Sequence, residues 1–569
     1  MSTSIPKFSR NDLVGVALAT GIGIGFACGD ERWAVATEDP AAVLAAVHDG
    51  SEARWVWWGR ETSDLIAEAG GAIDRCWDIQ TVHRLLHGTW KAPLGTVWAT
   101  LHGLAVDDVP TMGQLGLLDA SVDEGDRNEP VRPDGHLRPE WIDGGFAMSP
   151  DRLAAWAALA VVAQRRQAAE LERCPEPVRA HATARSESAA DLLCAEMTRS
   201  GLPIDEAQAE RLITEAAGAR PRTALDEDHR RAERDEIVFA ELEPRQEINL
   251  RNPTEVNKML RRQGYELPDT RAWRLESMRD TEPLIDALLR WRKAERIATT
   301  YGWRWLDEHV EGGRLRGGWS SSDGAAGRMT ASAGLHNLPA VMRPIVAAEP
   351  GHRIVRADLG QIEPRVLAAV SGDPGMIDAT QQDDLYLPIA RTLGVTRDIA
   401  KVAVLGAMYG ATTGESAGAL AGLEKRYPIA MRLLADAAEA GRLGHDVVTT
   451  GGRRIRMWVD PSTDGDLDRA VPAAAARGRF ARNAVIQGAA AEFFKVWAIT
   501  VRRRGRPLGA EVVLCLHDEL LVHAPIDRID EVASMVEATV QEAAHYWSAQ
   551  PDVRFVADVS VVDRWSEAK

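Results

Sequence analysis

The chain has 569 residues, 45% of them hydrophobic and 27% charged, and carries a formal net charge of −17 at pH 7. Because single cores stop growing at roughly 250–300 residues, a chain of this length is expected to form several domains. No run approaches the ~18 apolar residues that span a membrane, and the first residues lack the basic-then-apolar pattern of an export signal. The five cysteines are scattered and never spaced as Cys-x-x-Cys, which argues against a disulfide framework and a structural zinc site. A cytoplasmic protein without a membrane segment is therefore expected.

The negative net charge does not exclude a nucleic-acid partner, because binding depends on where the positive residues lie. Between Val471 and Ala510 eight arginines and lysines stand against one acid, Glu492. Acidic residues gather elsewhere, as in Asp119–Asp126. A basic cluster of this kind is more often a solvated helix face than a binding surface. Charge alone therefore does not decide whether this segment binds nucleic acid.

The first 185 residues are predicted to form a mixed α/β domain. Short strands interrupted by glycines are predicted between Val14 and Thr37. Ala-rich helical segments then alternate with short apolar runs as far as about Arg173. The Gly/Asp-rich stretch Gly113–Gly145 lacks periodicity and is predicted to be a surface loop.

From Ala180 to about Arg304, spaced apolar residues separated by charges predict a helical region. Within it, Asn252-Pro-Thr-Glu255 indicates a helix start, with the proline in the first turn, where it is tolerated. The remainder of the chain mixes strands with long helices.

A strand followed by a helix is predicted around Asp358. The alternating segment Arg353–Asp358 is typical of a strand, and Gln361–Asp373 follows as a helix in which Pro364 is tolerated in the first turn. Asp358 therefore lies at a strand end that faces a helix start. A lone aspartate there is more often a helix cap than a metal ligand.

The segment Arg397–Gly410 is predicted to be helical, with Arg397, Lys401, Leu405 and Tyr409 on one face, since they recur every four residues. Along this face, two cations suited to binding phosphate are followed by an apolar residue and then by an aromatic ring suited to stacking on a base. Taken alone, the pattern is more often that of an ordinary amphipathic helix.

A hairpin with two acids at its tip is predicted in Glu511–His523, where apolar strands flank His517-Asp-Glu519. Adjacent acids among apolar strands are costly unless a cation compensates them. If Asp358 and Asp518 converge on one sheet, they form a carboxylate pair suited to two divalent cations.

Together these three segments resemble motifs A, B and C of the DNA polymerase I family (family A). The family patterns are Asp-Tyr-Ser-Gln-Ile-Glu-Leu-Arg, Arg-x-x-x-Lys-x-x-x-Phe/Tyr-Gly-x-x-Tyr-Gly and His-Asp-Glu. Further matches are Gly327-Arg-Met-Thr330, Leu335-His-Asn-Leu-Pro339 and Arg479-x-x-x-Asn483-x-x-x-Gln487-Gly488. The resemblance covers about Asp191–Asp563 and identifies the chain as a template-directed DNA polymerase of replication or repair.

The resemblance implies an α+β multidomain fold, in which a right-hand polymerase follows an RNase H-like α/β domain of the 3′–5′ exonuclease type. The predicted domains are residues 1–185 (exonuclease-like), 186–312 (thumb), 313–372 (first part of the palm), 373–489 (fingers) and 490–569 (second part of the palm).

The resemblance also assigns roles to individual residues. Asp358 and Asp518 are implied to hold two Mg2+ ions, for which Mn2+ can substitute, with the Leu359 carbonyl completing one site. Glu519 is a supporting acid, and Lys401 is a proton donor to pyrophosphate. The residues implied to contact the dNTP are Gln361, Glu363, Arg397, Lys401, Leu405 and Tyr409. Those implied to contact primer–template DNA are Arg328, Arg479, Asn483, Gln487 and His517.

Several positions depart from the family pattern. Leu359 and Gly360 replace Tyr-Ser, and Pro364 replaces an apolar residue. Leu405 stands where the family has Phe or Tyr, so apolar contact with the sugar is retained but ring stacking is lost. Glu363 matches the steric gate that excludes a ribose 2′-hydroxyl.

The exonuclease chemistry of the family needs several converging carboxylates, and the amino-terminal domain lacks part of that set. Asp78 resembles its second acidic element, and Gly21–Thr37 resembles its second and third strands. The Asp-x-Glu pair is absent, so the catalytic first strand is expected to be missing or altered, and Ala147 stands where a tyrosine should precede Asp151. A degenerate domain without proofreading is therefore expected.

Two alternatives remain open in the sequence. A single-subunit RNA polymerase shares the palm motifs, although Glu363 argues against it. A catalytically silent DNA-binding scaffold would not need Asp358 and Asp518. The expected partners are primer–template DNA and dNTPs, with the protein a monomer that accessory replication proteins can join.

Overall fold

The computed structural model describes residues 7–49, 51–70, 73–112, 125–242, 248–410, 417–458, 467–548 and 550–568. The chain divides into two compact units. The first contains residues 1–200, 318–331 and 350–562, and the second contains residues 201–317, 332–349 and 563–569. Helices and strands are mixed in both, which confirms the predicted α+β class. Of the predicted loop 113–145, residues 113–124 lie outside the described residues.

The amino-terminal part of the first unit is built on a five-stranded sheet. Its strands are β1 (Leu13–Ala19), β2 (Gly23–Cys28), β3 (Glu31–Ala36), β4 (Arg54–Trp57) and β5 (Cys76–Asp78). Their order is β3-β2-β1-β4-β5, with β1–β3 antiparallel and β4 and β5 parallel to β1. The two strands predicted in Gly21–Thr37 are confirmed as β2 and β3. The first strand of the sheet is not missing, since β1 precedes them, but it carries no acid.

Seven helices accompany this sheet. They are α1 (Pro40–His48), α2 (Arg60–Glu68), α3 (Ile79–His87), α4 (Leu94–His102), α5 (Pro139–Ile142), α6 (Pro150–Leu171) and α7 (Pro177–Ser200). Alternate strand residues enter two hydrophobic clusters, one on each face of the sheet, as the two-residue repeat of a strand requires.

Two glycines bring α6 unusually close to the sheet. A Cβ atom at Gly15 of β1 would lie 2.1 Å from the carbonyl oxygen of Ala157, and one at Gly25 of β2 would lie 2.1 Å from the amide nitrogen of Ala154. Since no side chain fits into that space, only glycine permits this packing. The helix thus covers β1 and β2 directly.

The second unit is largely helical. Its elements are β6 (Leu202–Pro203), α8 (Glu206–Ala217), α9 (Ala224–Phe239), α10 (Pro253–Arg262), α11 (Ala272–Glu276), α12 (Pro283–Thr300), α13 (Trp303–His309), β7 (Val310–Glu311) and β8 (Arg314–Leu315). The predicted helix start is confirmed, because the Asn252 side chain accepts a hydrogen bond from the Thr254 amide at 3.0 Å and caps α10.

The remainder of the first unit follows. Its strands are β9 (Trp319–Asp323), β10 (Arg328–Ala331), β11 (His352–Leu359), β12 (Val447–Val448), β13 (Arg454–Ile455), β14 (Glu511–Leu516), β15 (Glu519–Pro525) and β16 (Ala557–Val562). Its helices are α14 (Ile362–Ser371), α15 (Pro374–Ala379), α16 (Tyr386–Leu393), α17 (Arg397–Tyr409), α18 (Ala417–Arg426), α19 (Pro428–Arg442), α20 (Leu467–Gly505) and α21 (Ile529–Trp547). An antiparallel sheet in the order β14-β15-β11-β16 lies at its centre.

Helix α20 has 39 residues and passes through the core of the first unit. Among the described residues, one helix, Arg469–Leu508, is long and apolar enough to cross a membrane, but 78% of its most apolar stretch is buried inside the protein. Its apolar side chains therefore serve as core residues. A search for uninterrupted apolar runs does not detect this helix, because polar residues interrupt its apolar stretch.

Long helices run across two of the predicted domain boundaries. The boundary at residue 185 falls inside α7, which packs against both α2 and α20, and the boundary at residue 489 falls inside α20. The compact second unit begins after Ser200 rather than at residue 186. Composition does not reveal such boundaries, because one continuous helix contributes to two cores.

Candidate active site

Three carboxylates lie side by side across the central sheet. Asp358, near the end of β11, is paired with Glu519 on β15 and with Asp558 on β16. Like charges directly opposite one another destabilise a sheet. Arg356 lies two residues earlier on the same face and donates hydrogen bonds to Asp358 at 2.8 Å, Glu519 at 2.7 Å and Asp558 at 3.2 Å.

Asp518 joins this group from the hairpin between β14 and β15. The backbone amide of Leu359 donates to the carbonyl oxygen of Asp518 at 2.9 Å, which binds the hairpin tip to the end of β11. His517 takes a left-handed backbone conformation (φ 55°) at the turn, as does Gln361 (φ 49°) just after Asp358. Such backbone strain in residues other than glycine concentrates at functional sites. The predicted hairpin is confirmed, and Asp358 and Asp518 converge on one sheet.

The acids of this site are held in a partly desolvated environment. Burial, and next the negative charge of Asp518, raise the pKa of Asp358 to about 6. Burial also raises the pKa of Asp518. Carboxylates whose charged form is disfavoured by burial and by each other are stabilised when a cation is bound between them. The donor set therefore fits divalent metal ions, with oxygen ligands of the kind that Mg2+ prefers.

A cavity of about 180 Å³ lies beside the carboxylates. Its lining residues are Arg328, Met329, Gln361, Ile362, Glu363, Pro364, Tyr386, Leu405, Ala490, Ala491, Phe494, His517 and Asp518. Six of the sequence-predicted site residues thus surround one space, although they come from four separate parts of the chain. Tyr386 and Phe494 are additional aromatic members that sequence reasoning did not predict.

Glu363 holds the wall of this cavity together. Its carboxylate accepts hydrogen bonds from Arg328 at 3.0 Å and from the Tyr409 hydroxyl at 3.2 Å. Burial raises the pKa of Glu363, and the Arg328 guanidinium compensates its negative charge. A bulky acid is thereby fixed in the cavity wall between β10 and α17.

Helix α17 lies in the segment that is predicted to be helical. The Thr396 side chain caps its first turn, and Gly410 ends it in a left-handed conformation (φ 74°). Leu405 lines the cavity and Tyr409 reaches Glu363, so one face of α17 points at the site. Its first two cations lie further out: Lys401 is exposed, and Arg397 pairs with Asp384 at 2.6 Å.

Three predicted DNA-contacting residues, Arg479, Asn483 and Gln487, follow one another at four-residue spacing on α20. Arg479 is exposed, and the other two are half-buried. Of the remaining basic residues, Arg503 and Arg504 are exposed and pair with Glu542, whereas two others are buried. Lys495 is fully buried and donates to Glu187 at 2.7 Å, and Arg502 donates to Glu196 at 2.6 Å. The stretch 471–510 is therefore not one continuous basic surface.

Arg365, the last residue of the motif A segment, organises the loops around the site. Its side chain is fully buried and donates to five backbone carbonyl groups, at distances from 2.5 to 3.0 Å. These belong to Gly360, Thr380, Gln382, Asp383 and Arg554. Burial lowers the pKa of Arg365 to about 10. The guanidinium joins the turn after β11, the turn before α16 and the segment that leads into β16.

Arg356 and Tyr386 were missed for different reasons. Arg356 could have been predicted from the sequence, because the two-residue repeat of a strand places residue 356 on the same face as Asp358. Tyr386 could not have been predicted in this way, because it begins α16, away from every recognised motif. It reaches the cavity through the packing of α16 on α17.

The amino-terminal sheet shows no comparable acidic site among the described residues. Strand β1 reads LVGVALA and carries no acid. Asp78 caps α3 instead, accepting from the Thr81 amide at 2.7 Å and from the Trp57 indole at 3.0 Å. Its side chain is fully buried, and burial followed by the charge of Asp191 raises its pKa to about 7. A buried capping carboxylate is not placed to meet a DNA strand.

The sequence matches a known family over most of its second part. The profile of "DNA polymerase family A" matches residues 225–567. A thermostable DNA polymerase I from Thermus thermophilus is 30% identical over 329 residues, which are 52% of this chain and 38% of that protein. DNA polymerase I from Chloroflexus aurantiacus is 31% identical over 298 residues, which are 46% of this chain and 30% of that protein. The matched segment thus spans about a third of the length of these curated relatives.

The fold is shared over almost the whole chain. The POL domain of Pol1 from M. smegmatis, solved in complex with DNA primer-template and dNTP, superposes with a TM-score of 0.66. The match covers 98% of this chain and 97% of that chain at 20% sequence identity. It extends over the amino-terminal 200 residues, which the family profile does not include.

Proposed function

We propose that this chain, which belongs to DNA polymerase family A, is a DNA-templated DNA polymerase that adds dNTPs to a primer 3′-hydroxyl. The observation that carries the proposal is the convergence of Asp358 and Asp518 beside a cavity walled by Glu363 and by the face of α17 that carries Leu405. In this proposal the cations of α17 bind the phosphates, the two acids bind metal ions, and the apolar Leu405 packs against the sugar.

In this proposal Asp358 and Asp518, with the Leu359 carbonyl, hold two divalent ions, Mg2+ or in its place Mn2+. Such ions, when bound, lower the pKa of the primer 3′-hydroxyl and stabilise the leaving pyrophosphate. The protein residues position the reactants: Arg397 and Lys401 contact the triphosphate, and Lys401 donates a proton to pyrophosphate. Arg397 leaves Asp384 for the triphosphate, since both are exposed enough to exchange partners.

Base pairing supplies the sequence information, so the DNA contacts need only shape and phosphate recognition. Arg479, Asn483 and Gln487 form a row on α20 suited to a duplex backbone or minor groove. Arg328 and His517 lie at the edge of the cavity, where the primer end is expected.

Primer extension with Mg2+ tests the proposal. The full chain is incubated with a primer–template and either dNTPs or NTPs, and products are resolved by length. Extension with dNTPs is expected. Extension mainly with NTPs would indicate an RNA polymerase, and binding of DNA without extension would indicate a silent scaffold.

Leu405→Tyr is expected to relax discrimination against dideoxynucleotides by about tenfold. Leucine offers apolar packing to the sugar, whereas a tyrosine hydroxyl can take the place of the missing 3′-hydroxyl, and such a bond contributes about 0.5–1.5 kcal/mol. The measurement is the ratio of incorporation efficiencies for ddNTP and dNTP.

Leu405→Phe is the matched control, because it adds the ring without the hydroxyl and should leave the ratio near the wild-type value. Val402→Tyr places the same ring on an exposed part of α17 and should also have no effect. An unchanged ratio in Leu405→Tyr would mean that residue 405 does not face the sugar.

Glu363→Ala is expected to raise ribonucleotide incorporation relative to deoxyribonucleotide incorporation by at least about tenfold, since pocket contacts of one group contribute about 1–3 kcal/mol to discrimination. Glu363→Gln keeps the bulk and should retain most of the discrimination. Equal ratios of ribonucleotide to deoxyribonucleotide incorporation in the wild type and in Glu363→Ala would show that Glu363 does not discriminate between the two sugars.

For the amino-terminal domain, we propose a retained scaffold without proofreading. The support is the acid-free strand β1, its close cover by α6, and the buried capping role of Asp78. The purified protein is therefore expected to remove no nucleotides from a 5′-labelled single strand in Mg2+ or Mn2+, measured against a proofreading polymerase as positive control. Shortening of the strand that Asp78→Ala abolishes would place an exonuclease site here after all.

A further inference from the structure

Arg356 occupies an unusual position for a permanently charged side chain. Only 12% of it is exposed, and its one guanidinium group reaches acids on three neighbouring strands. The Nη2 atom binds Oδ2 of Asp358, Nε binds Oε1 of Glu519, and Nη1 binds Oδ2 of Asp558.

The register of the sheet explains why these acids need a cation. Glu519, Asp358 and Asp558 occupy one row across β15, β11 and β16, and Asp518 adds a fourth negative charge at the hairpin tip. Glu519 is buried and Asp358 half-buried, whereas Asp558 is exposed, and bringing like charges together where water is partly excluded is costly unless they are paired. Arg356 lies one repeat of β11 further back on the same face, diagonal to both neighbours of Asp358, and remains charged at every physiological pH.

We propose that Arg356 is a resident cation of the metal centre, a positioning residue that fixes one oxygen of Asp358 and lowers the centre's affinity for divalent ions. This inference rests on the proposed function. With Oδ2 bound to Arg356, the carboxylate is held in a single orientation, and Oδ1 is left to face an ion. The fixed positive charge also opposes the charge of that ion.

Two variants separate the charge of Arg356 from its geometry. Arg356→Gln removes the charge, so the free enzyme should bind Mn2+ at least about tenfold more tightly, as a unit charge a few ångströms from a divalent ion predicts at an effective dielectric constant near 20. Arg356→Lys keeps the charge but cannot reach three acids from one planar group. Its Mn2+ affinity should stay within about threefold of the wild type, while primer extension at saturating Mn2+ should slow by at least about tenfold.

The experiment is a titration of the full chain with Mn2+ alone, without DNA or nucleotide, in which free Mn2+ is measured by electron paramagnetic resonance at pH 8. Arg353→Gln is the matched control, because it removes the same charge from the opposite face of β11 and should leave Mn2+ affinity unchanged. Thermal unfolding of each variant reports whether it folds.

Tighter Mn2+ binding by Arg356→Gln, together with slow extension by Arg356→Lys, supports the inference. Unchanged or weaker Mn2+ binding by folded Arg356→Gln overturns it, and so does an unaltered extension rate in Arg356→Lys. If Arg356→Gln does not fold, Arg356→Lys decides alone. Failure of the proposed function is seen separately, as a wild-type protein that binds Mn2+ but extends no primer.

Discussion

Asp358→Ala and Asp518→Ala are each expected to lower the rate of primer extension by at least about a thousandfold, while the affinity for primer–template DNA changes by less than about threefold. Metal ions contribute several kcal/mol of transition-state stabilisation, and each 1.36 kcal/mol corresponds to a factor of ten in rate. Both acids are joined through the hydrogen bond from the Leu359 amide to the Asp518 carbonyl oxygen, and neither belongs to the row of Arg479, Asn483 and Gln487 on α20 that is predicted to contact DNA. Their loss therefore removes the metal ligands but leaves the predicted DNA contacts intact.

Single-turnover extension and DNA affinity are measured on the same preparations, so that misfolding is not mistaken for loss of chemistry. Asp527→Ala, at an exposed position after β15, is the matched control and should behave as the wild type. Extension by Asp358→Ala within tenfold of the wild type would show that these acids do not hold the catalytic ions.

Arg365→Ala is expected to lower the free energy of unfolding by about 3–5 kcal/mol, because several buried carbonyl groups lose the same donor. Five backbone carbonyl groups lose their donor at once, and a buried polar group left without a partner costs about 1–3 kcal/mol. Because the segments that Arg365 joins include the turn after Asp358, extension should fall together with stability. Denaturant unfolding followed by circular dichroism measures the effect.

Arg365→Lys retains the positive charge but has three donors instead of a planar fork, so a loss nearly as large is expected. Arg391→Ala removes an exposed arginine from the nearby helix α16 and should change stability by no more than about 0.5 kcal/mol. If Arg365→Ala were as mild as Arg391→Ala, the carbonyl groups would have other donors, and the organising role of Arg365 would be wrong.

Local patterns in the sequence were sufficient to predict the elements that carry the site. The strand ending at Asp358, the hairpin tip at Asp518 and the common face of α17 are set by short-range periodicity, which depends on residues at most a few positions apart. The same is true of the capped start of α10 and of the acid-free first strand of the amino-terminal sheet. These predictions are confirmed as structure because local geometry alone decides them.

Three features depended on the tertiary structure. The sequence showed Asp358 and Asp518, which are 160 positions apart, but only strand pairing placed Glu519 and Asp558 beside Asp358 and made Arg356 their common partner. Tyr386 lines the cavity through helix packing, and Asp78 is a buried cap because β5 ends inside the domain. The division of the chain into two compact units likewise depends on packing, since α7 and α20 each contribute to two hydrophobic clusters. Which distant strands pair and which helices pack together depends on contacts across the chain, and periodicity, which reports only local spacing, does not specify them.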